Sequence, residues 1–179
     1  MKIFIISGKG GSGKDTFVEL YSKYIEKKYN DVCYNISSVD EIKEIARKYF
    51  GWKGQKTSEW RKTLSDLKDL QTRSCDGPFN YMKICFSNII KEEFHHNREC
   101  VVFLHIRETE EIERAKKEFN AKTILIKRFD ETVSYGNHAD DNVENYNYDY
   151  VFENYGTLEE LNEKVIELVK IEEKESLTK

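Results

Sequence analysis

The stretch "IFIISGKGGSGKDTF", residues 3–17, constrains the fold more than any other part of the chain. Four of the nine glycines stand at positions 8, 10, 11 and 13, after an apolar run and before Lys14, Asp15 and Thr16. Residues 2–7 read as a buried strand ending at Gly8. From Gly13 to about Asn30, the positions Phe17, Leu20, Tyr21, Tyr24 and Ile25 recur at helical spacing. A chain turning this sharply from strand to helix directs several backbone N–H groups at one hollow. Gly10, Gly11 and Gly13 keep side chains out of that hollow and permit positive φ. The helix adds its N-terminal dipole and free N–H groups.

Gly8 to Asp15 fits G-x-x-x-x-G-K, with Asp15 where serine or threonine is usual. The expected phosphate cradle is therefore Gly8, Gly10, Gly11, Ser12, Gly13, Lys14, Asp15 and Thr16. Lys14 supplies a full charge for β- and γ-phosphates, and Thr16 a hydroxyl in the first turn. Asp15 reaches a divalent cation directly or through water. A turn that merely joins strand to helix is the competing reading. The unbroken order of strand, motif and amphipathic helix favours phosphate binding.

Composition narrows the alternatives. Charged residues make up 35% of the 179, but the signs are mixed and the net charge is only -4. That balance gives no broad basic footprint for nucleic acid or anionic lipid. No apolar run approaches the ~18 residues a bilayer span needs. "IFII" is too short for a signal-peptide core. The expectation is one soluble, cytoplasmic domain over 1–179, acting as a monomer or homodimer on small-molecule nucleotides. Cys33, Cys75, Cys85 and Cys100 have no metal-ligand spacing, and His95 and His96 are adjacent, so no structural zinc site is expected. Cys33 and Cys100 are expected to pack as small hydrophobes.

Further elements follow from periodicity. "VCYNI" (32–36), "CVVFL" (100–104), "KTILI" (122–126) and "YVFEN" read as strands. Ser38 and Glu41 suggest a capping box for a helix to about Phe50, and Thr157 and Glu160 a second one. Helices are expected over about 58–72, 80–95 and 108–119. The segment Phe129–Tyr148 looks too polar for core, and the tail after Ile171 looks frayed. Alternating strands and helices give an α/β fold: a five-stranded, mostly parallel sheet with helices on both faces and ligands at the strands' carboxyl ends.

With "SGKDT" after a first strand, the chain resembles the nucleoside monophosphate kinases of the adenylate-kinase-like P-loop class, closest to bacteriophage-type deoxynucleoside monophosphate kinases. "VVFLHIRETEEIERAKKEFNAKTILIKR" is similar to that family's strand, D-x-R, helix, strand and arginine block. "NHADDNVE" falls at its short lid motif, and "YDYVFENYGTLEELNEKV" resembles its closing segment. The resemblance implies a P-loop NTPase fold, ATP and Mg²⁺ as cofactors, an acceptor-binding helical insertion at about 37–95 and a lid at about 129–148. It implies that Arg107 contacts the acceptor phosphate and that Asn154 borders the adenine; Arg128, after strand 122–126, clamps the donor phosphates or simply finishes a strand at the surface. The family's D-x-R aspartate is His105 here, which brings no negative charge to Mg²⁺; Asp15 with the substrate phosphates, Glu108 or Asp40 would have to compensate.

Other site residues are open to two readings. Asp40, Lys43 and Arg61 face the acceptor, or they serve as a helix cap and a solvated helix face. Arg107 pairs instead with Glu110 or Glu111 in the competing view. Tyr49, Phe50, Trp52 and Trp60 are expected to pack rather than stack on a base. His138 with Asp140 and Asp141 reads as a polar lid or as an acid–base cluster. There is no N-K-x-D for guanine and no D-x-x-G after a strand, which disfavours a GTPase switch. A small-molecule kinase of the same fold and an ATP-binding regulator without kinase activity stay open.

Overall fold

A computed structural model describes residues 1–96, 98–128 and 142–177. The elements are β1 (Lys2–Ser7), α1 (Lys14–Tyr29), β2 (Val32–Ser37), α2 (Asp40–Phe50), α3 (Ser58–Cys75), α4 (Gly77–Glu93), β3 (Cys100–His105), α5 (Thr109–Phe119), β4 (Lys122–Lys127), a 3-10 turn (Val143–Asn145), β5 (Tyr150–Glu153) and α6 (Leu158–Leu177). The strands form one sheet in the order β2-β3-β1-β4-β5, and every pairing is parallel. The chain fills one side of β1 with β2 and β3, then crosses to the other side for β4 and β5. This reversal puts the topological switch point, where such sheets bind ligands, at the carboxyl end of β1.

Strand alternation divides the core into two layers. Phe4, Ile6, Val101, Phe103, Ile124 and Ile126 point toward α1 and α6. Ile5, Val102, Leu104 and Leu125 point toward α4 and α5. Phe103 carries no exposed surface, stacks on Phe4 at 5.2 Å and takes the edge of Tyr21 at 5.1 Å. Burying one such aromatic side chain is worth about 1.5–3 kcal/mol. No helix among the described residues is long and apolar enough to cross a membrane. Cys100 is buried and Cys33 half-buried, and burial pushes the Cys33 thiol up to about 12.

Several expectations need correction. The first capping box does not form: Val39 is the N-cap of α2 and brings no side-chain cap, while Asp40 Oδ2 accepts from Ser37 N at 2.8 Å and Ser37 Oγ from Val39 N at 3.4 Å. The second box forms as expected, with Thr157 N to Glu160 Oε2 at 2.7 Å and Glu160 N to Thr157 Oγ1 at 3.3 Å. Helices α3 and α4 nearly abut, separated by Asp76 alone in the left-handed region (φ 54). The tail does not fray at Ile171, because α6 continues to Leu177. Lys122 holds Glu172 at 2.8 Å, and Lys28 holds Glu173 at 3.1 Å. Val143 and Tyr148, placed in a segment judged too polar for core, are buried, and Tyr148 donates its hydroxyl to the Val143 carbonyl at 2.7 Å. Tyr49 and Phe50 are exposed rather than packed, while Trp52 is buried.

Candidate functional site

The loop after β1 is held from three directions. Gly8 stands at φ 146, where an added Cβ would meet the Ile126 carbonyl oxygen at 2.3 Å. Gly13 stands at φ 96, where an added Cβ would meet Asn154 Nδ2 at 2.4 Å. The side-chain amide of Asn154, itself buried after β5, donates to the Ser12 carbonyl at 2.8 Å. The adjacent strand end is fixed as well, because the buried Ser7 hydroxyl donates to the Ile106 carbonyl. Gly11 also has positive φ; Gly10, contrary to expectation, does not.

Lys14 is buried at the centre of this loop. Its Nζ donates to the carbonyls of Gly8 at 2.6 Å and Lys9 at 2.8 Å, and lies 3.4 Å from Ser12 Oγ. The loop carbonyls therefore fix where the ammonium sits. Gly13 makes no side-chain cap for α1. The first-turn N–H groups of a helix have no partner within the helix, and here the helix begins at Lys14, just past a strand's carboxyl end. Such a cradle fits a polyphosphate. Asp15 is 93% exposed beside it, and Thr16 is half-buried.

His105 ends β3 between the neighbouring strands, in register with Ile6 and Ser37. Its Nδ1 lies 3.8 Å from Asp15 Oδ1. Burial pushes the imidazole down to about 4; Lys14 and Arg107 deepen the fall, and Asp15 and Asp40 oppose it. The ring is thus neutral near pH 7, and its Nε2 is buried without a hydrogen-bond partner among the described residues. As for the cation, no cluster of three or more His, Cys, Asp or Glu side chains fit to hold a metal occurs among the described residues. Asp15 is the carboxylate at the loop, so a bound Mg²⁺ would take its remaining ligands from phosphate oxygens and water.

No family model matches the chain, and no curated protein does. Solved structures do match it in shape. Thymidylate kinase from Ehrlichia chaffeensis aligns over 94% of this chain and 98% of its own, at 11% identity with a TM-score of 0.50. The APS kinase CysC of Mycobacterium tuberculosis aligns over 94% and 97%, at 12% identity and TM-score 0.49. Shikimate kinase from Aquifex aeolicus aligns over 95% and 96%, at 16% identity and TM-score 0.47. The chain shares its α/β fold with that thymidylate kinase.

On this frame the other expected residues fall into distinct places. Arg107 is half-buried, two residues past β3. Glu111, one of its two alternative partners, is engaged by Lys68 Nζ at 2.9 Å. Glu108, considered as a substitute for the missing acid, is likewise held by Lys68 at 2.6 Å. Asp40 pairs with Lys43 at 3.1 Å and also accepts from Ser37 N at the end of β2. Arg61 is exposed on α3, and Arg128 is exposed just past β4. Asn154 gives an amide hydrogen to the Ser12 carbonyl and so supports the loop. Tyr155 and Gly156 line an open groove of about 600 Å³ with Glu160 and Lys164. His138, Asp140 and Asp141, and most of the expected lid, lie outside the described residues.

Two residues at the site were not singled out from the sequence. Glu144, in the 3-10 turn, reaches Lys9 of the P-loop at 3.0 Å and Lys127 at 3.2 Å. Burial opposes its ionisation, yet the two lysines hold its carboxyl below the usual range. Lys68 is the other: a charged residue in a charged helix gives no signal of burial.

Proposed function

We propose that this chain transfers a phosphoryl group from ATP to a nucleoside monophosphate, ribo or deoxy. The observation that carries the reading is the buried Lys14 ammonium inside a glycine-cornered loop at the switch point of a parallel sheet, beneath an uncapped helix. The loop amides and Lys14 bind the β- and γ-phosphates and neutralise their charge. Arg107, at the neighbouring strand end, orients the acceptor phosphate, with Arg61 and the Asp40–Lys43 pair on the acceptor side. Arg128 covers the donor phosphates. Phosphoryl transfer needs two anions held in line, so positive charge and positioning are most of what a protein supplies. Mg²⁺ bound to ATP would neutralise further charge, with Asp15 as its carboxylate contact.

His105 favours a second reading. A neutral imidazole beside Asp15 brings no additional negative charge to the cation, which suits a protein that binds ATP without transferring phosphate. An ADP-release assay with Mg-ATP, over a panel of ribo- and deoxynucleoside monophosphates, separates the two. The kinase reading expects turnover with at least one acceptor. Tight ATP binding with no turnover on any acceptor would support the regulator.

A further inference from the structure

Helix α3 spans 18 residues and buries one of them, Lys68. Its side chain is 8% exposed, and its ammonium is shared by Glu108 Oε1 at 2.6 Å and Glu111 Oε2 at 2.9 Å. Glu108 is the N-cap of α5 and directly follows Arg107. Arg61 precedes Lys68 by seven residues, close to two helical turns, so the two residues share one stripe of α3. The clamp therefore ties the helix that carries Arg61 to the turn that carries Arg107. A second grip lies further along α5: Arg114 Nη1 donates to Asp76 Oδ1 at 2.8 Å, at the corner between α3 and α4, and its guanidinium lies 3.7 Å from the Phe79 ring centre.

We propose that Lys68 is a positioning residue that sets the acceptor site by fixing α3 against α5. This rests on the reading of Arg61 and Arg107 as acceptor contacts. Apolar side chains would hold two helices together at least as well, because burying charges costs several kcal/mol per ion before their attraction offsets it. An ion cluster adds one fixed geometry, since an ammonium shared by two carboxylates tolerates little sliding. Burial, reinforced by the charge of Glu108, pushes Glu111 up to about 7. A carboxyl so raised still bonds Lys68 when protonated.

The test compares Lys68→Met and Glu111→Gln with wild type in the full chain. It reads kcat, both KM values, ATP affinity by calorimetry, and hydrogen exchange over 58–75. Lys68→Met is expected to raise the acceptor KM by roughly tenfold or more while ATP affinity stays within about twofold. Exchange in 58–75 rises and exchange in α1 does not. Glu111→Gln, which keeps the bond to Lys68, stays near wild type. An unchanged acceptor KM, or a parallel loss of ATP affinity, overturns the proposal. Should Lys68→Met not fold, the same comparison is read on Glu108→Ala, which removes one of the two acceptors of the Lys68 ammonium. If wild type turns over no acceptor, the kinase reading falls; the clamp is then judged on exchange over 58–75, where no change overturns it.

Discussion

The side-chain amide of Asn154 donates to the main-chain carbonyl of Ser12 at 2.8 Å, across 142 residues of sequence. The last strand thereby holds the first loop, and Gly13 leaves just enough room for the contact. Losing this bond leaves a buried carbonyl unsatisfied, at a cost of about 1–3 kcal/mol. Asn154→Ala is expected to lower unfolding stability by that amount and to weaken ATP binding roughly tenfold. Denaturant titration and calorimetry check it. Unchanged stability would mean the contact does not hold the loop.

Glu144 offsets two lysines beside the cradle, Lys9 and Lys127. Glu144→Gln leaves their charge to act on the incoming phosphates. ATP binding should tighten by about two- to fivefold at low salt, and the gain should shrink as salt rises. Weaker binding at every ionic strength would show that the tether matters more than its charge.

Asp149 anchors the start of β5. Its carboxylate accepts from Thr123 N at 2.8 Å, Thr123 Oγ1 at 2.9 Å and Lys116 Nζ at 2.9 Å. Burial opposes ionisation, but Lys116 and the Thr123 donors outweigh it and hold the carboxyl below its ordinary 3.8. A carboxyl depressed in the folded state stabilises above its unfolded value, and that contribution is lost as pH falls through the folded one. Wild type should therefore lose more stability than Asp149→Asn on acidification below about pH 4. Melting curves from pH 6 downward read the difference, and parallel slopes would contradict it.

His105 stands 3.8 Å from Asp15 and is held neutral. His105→Asp adds an oxygen donor and a negative charge where a hard cation would sit. The Mg²⁺ concentration giving half-maximal ATP binding should fall about three- to tenfold. No shift would place His105 away from the cation.

Much of this architecture was legible because it is local. Continuous apolar runs such as "CVVFL" identify strands buried on both faces, and the glycines with Lys14 identify the cradle. The pair Thr157 and Glu160 identifies a helix start. What escaped depends on distant partners. The role of Asn154 lies in a carbonyl from the other end of the chain. Lys68 looks solvated until α5 supplies two carboxylates, and the tail looks frayed until Lys122 and Lys28 reach it. The first capping box fails because α2 starts at Asp40, whose carboxylate turns back to the last residue of β2 rather than to a helix N–H.

The most direct measurement is calorimetric titration of ATP, without acceptor, into wild type and Lys14→Ala. A preformed polyphosphate cradle predicts one-site binding to wild type and a loss of about a hundredfold or more in the variant, the scale of a charge-assisted contact. Absence of binding to wild type, or equal affinity in both proteins, would contradict it.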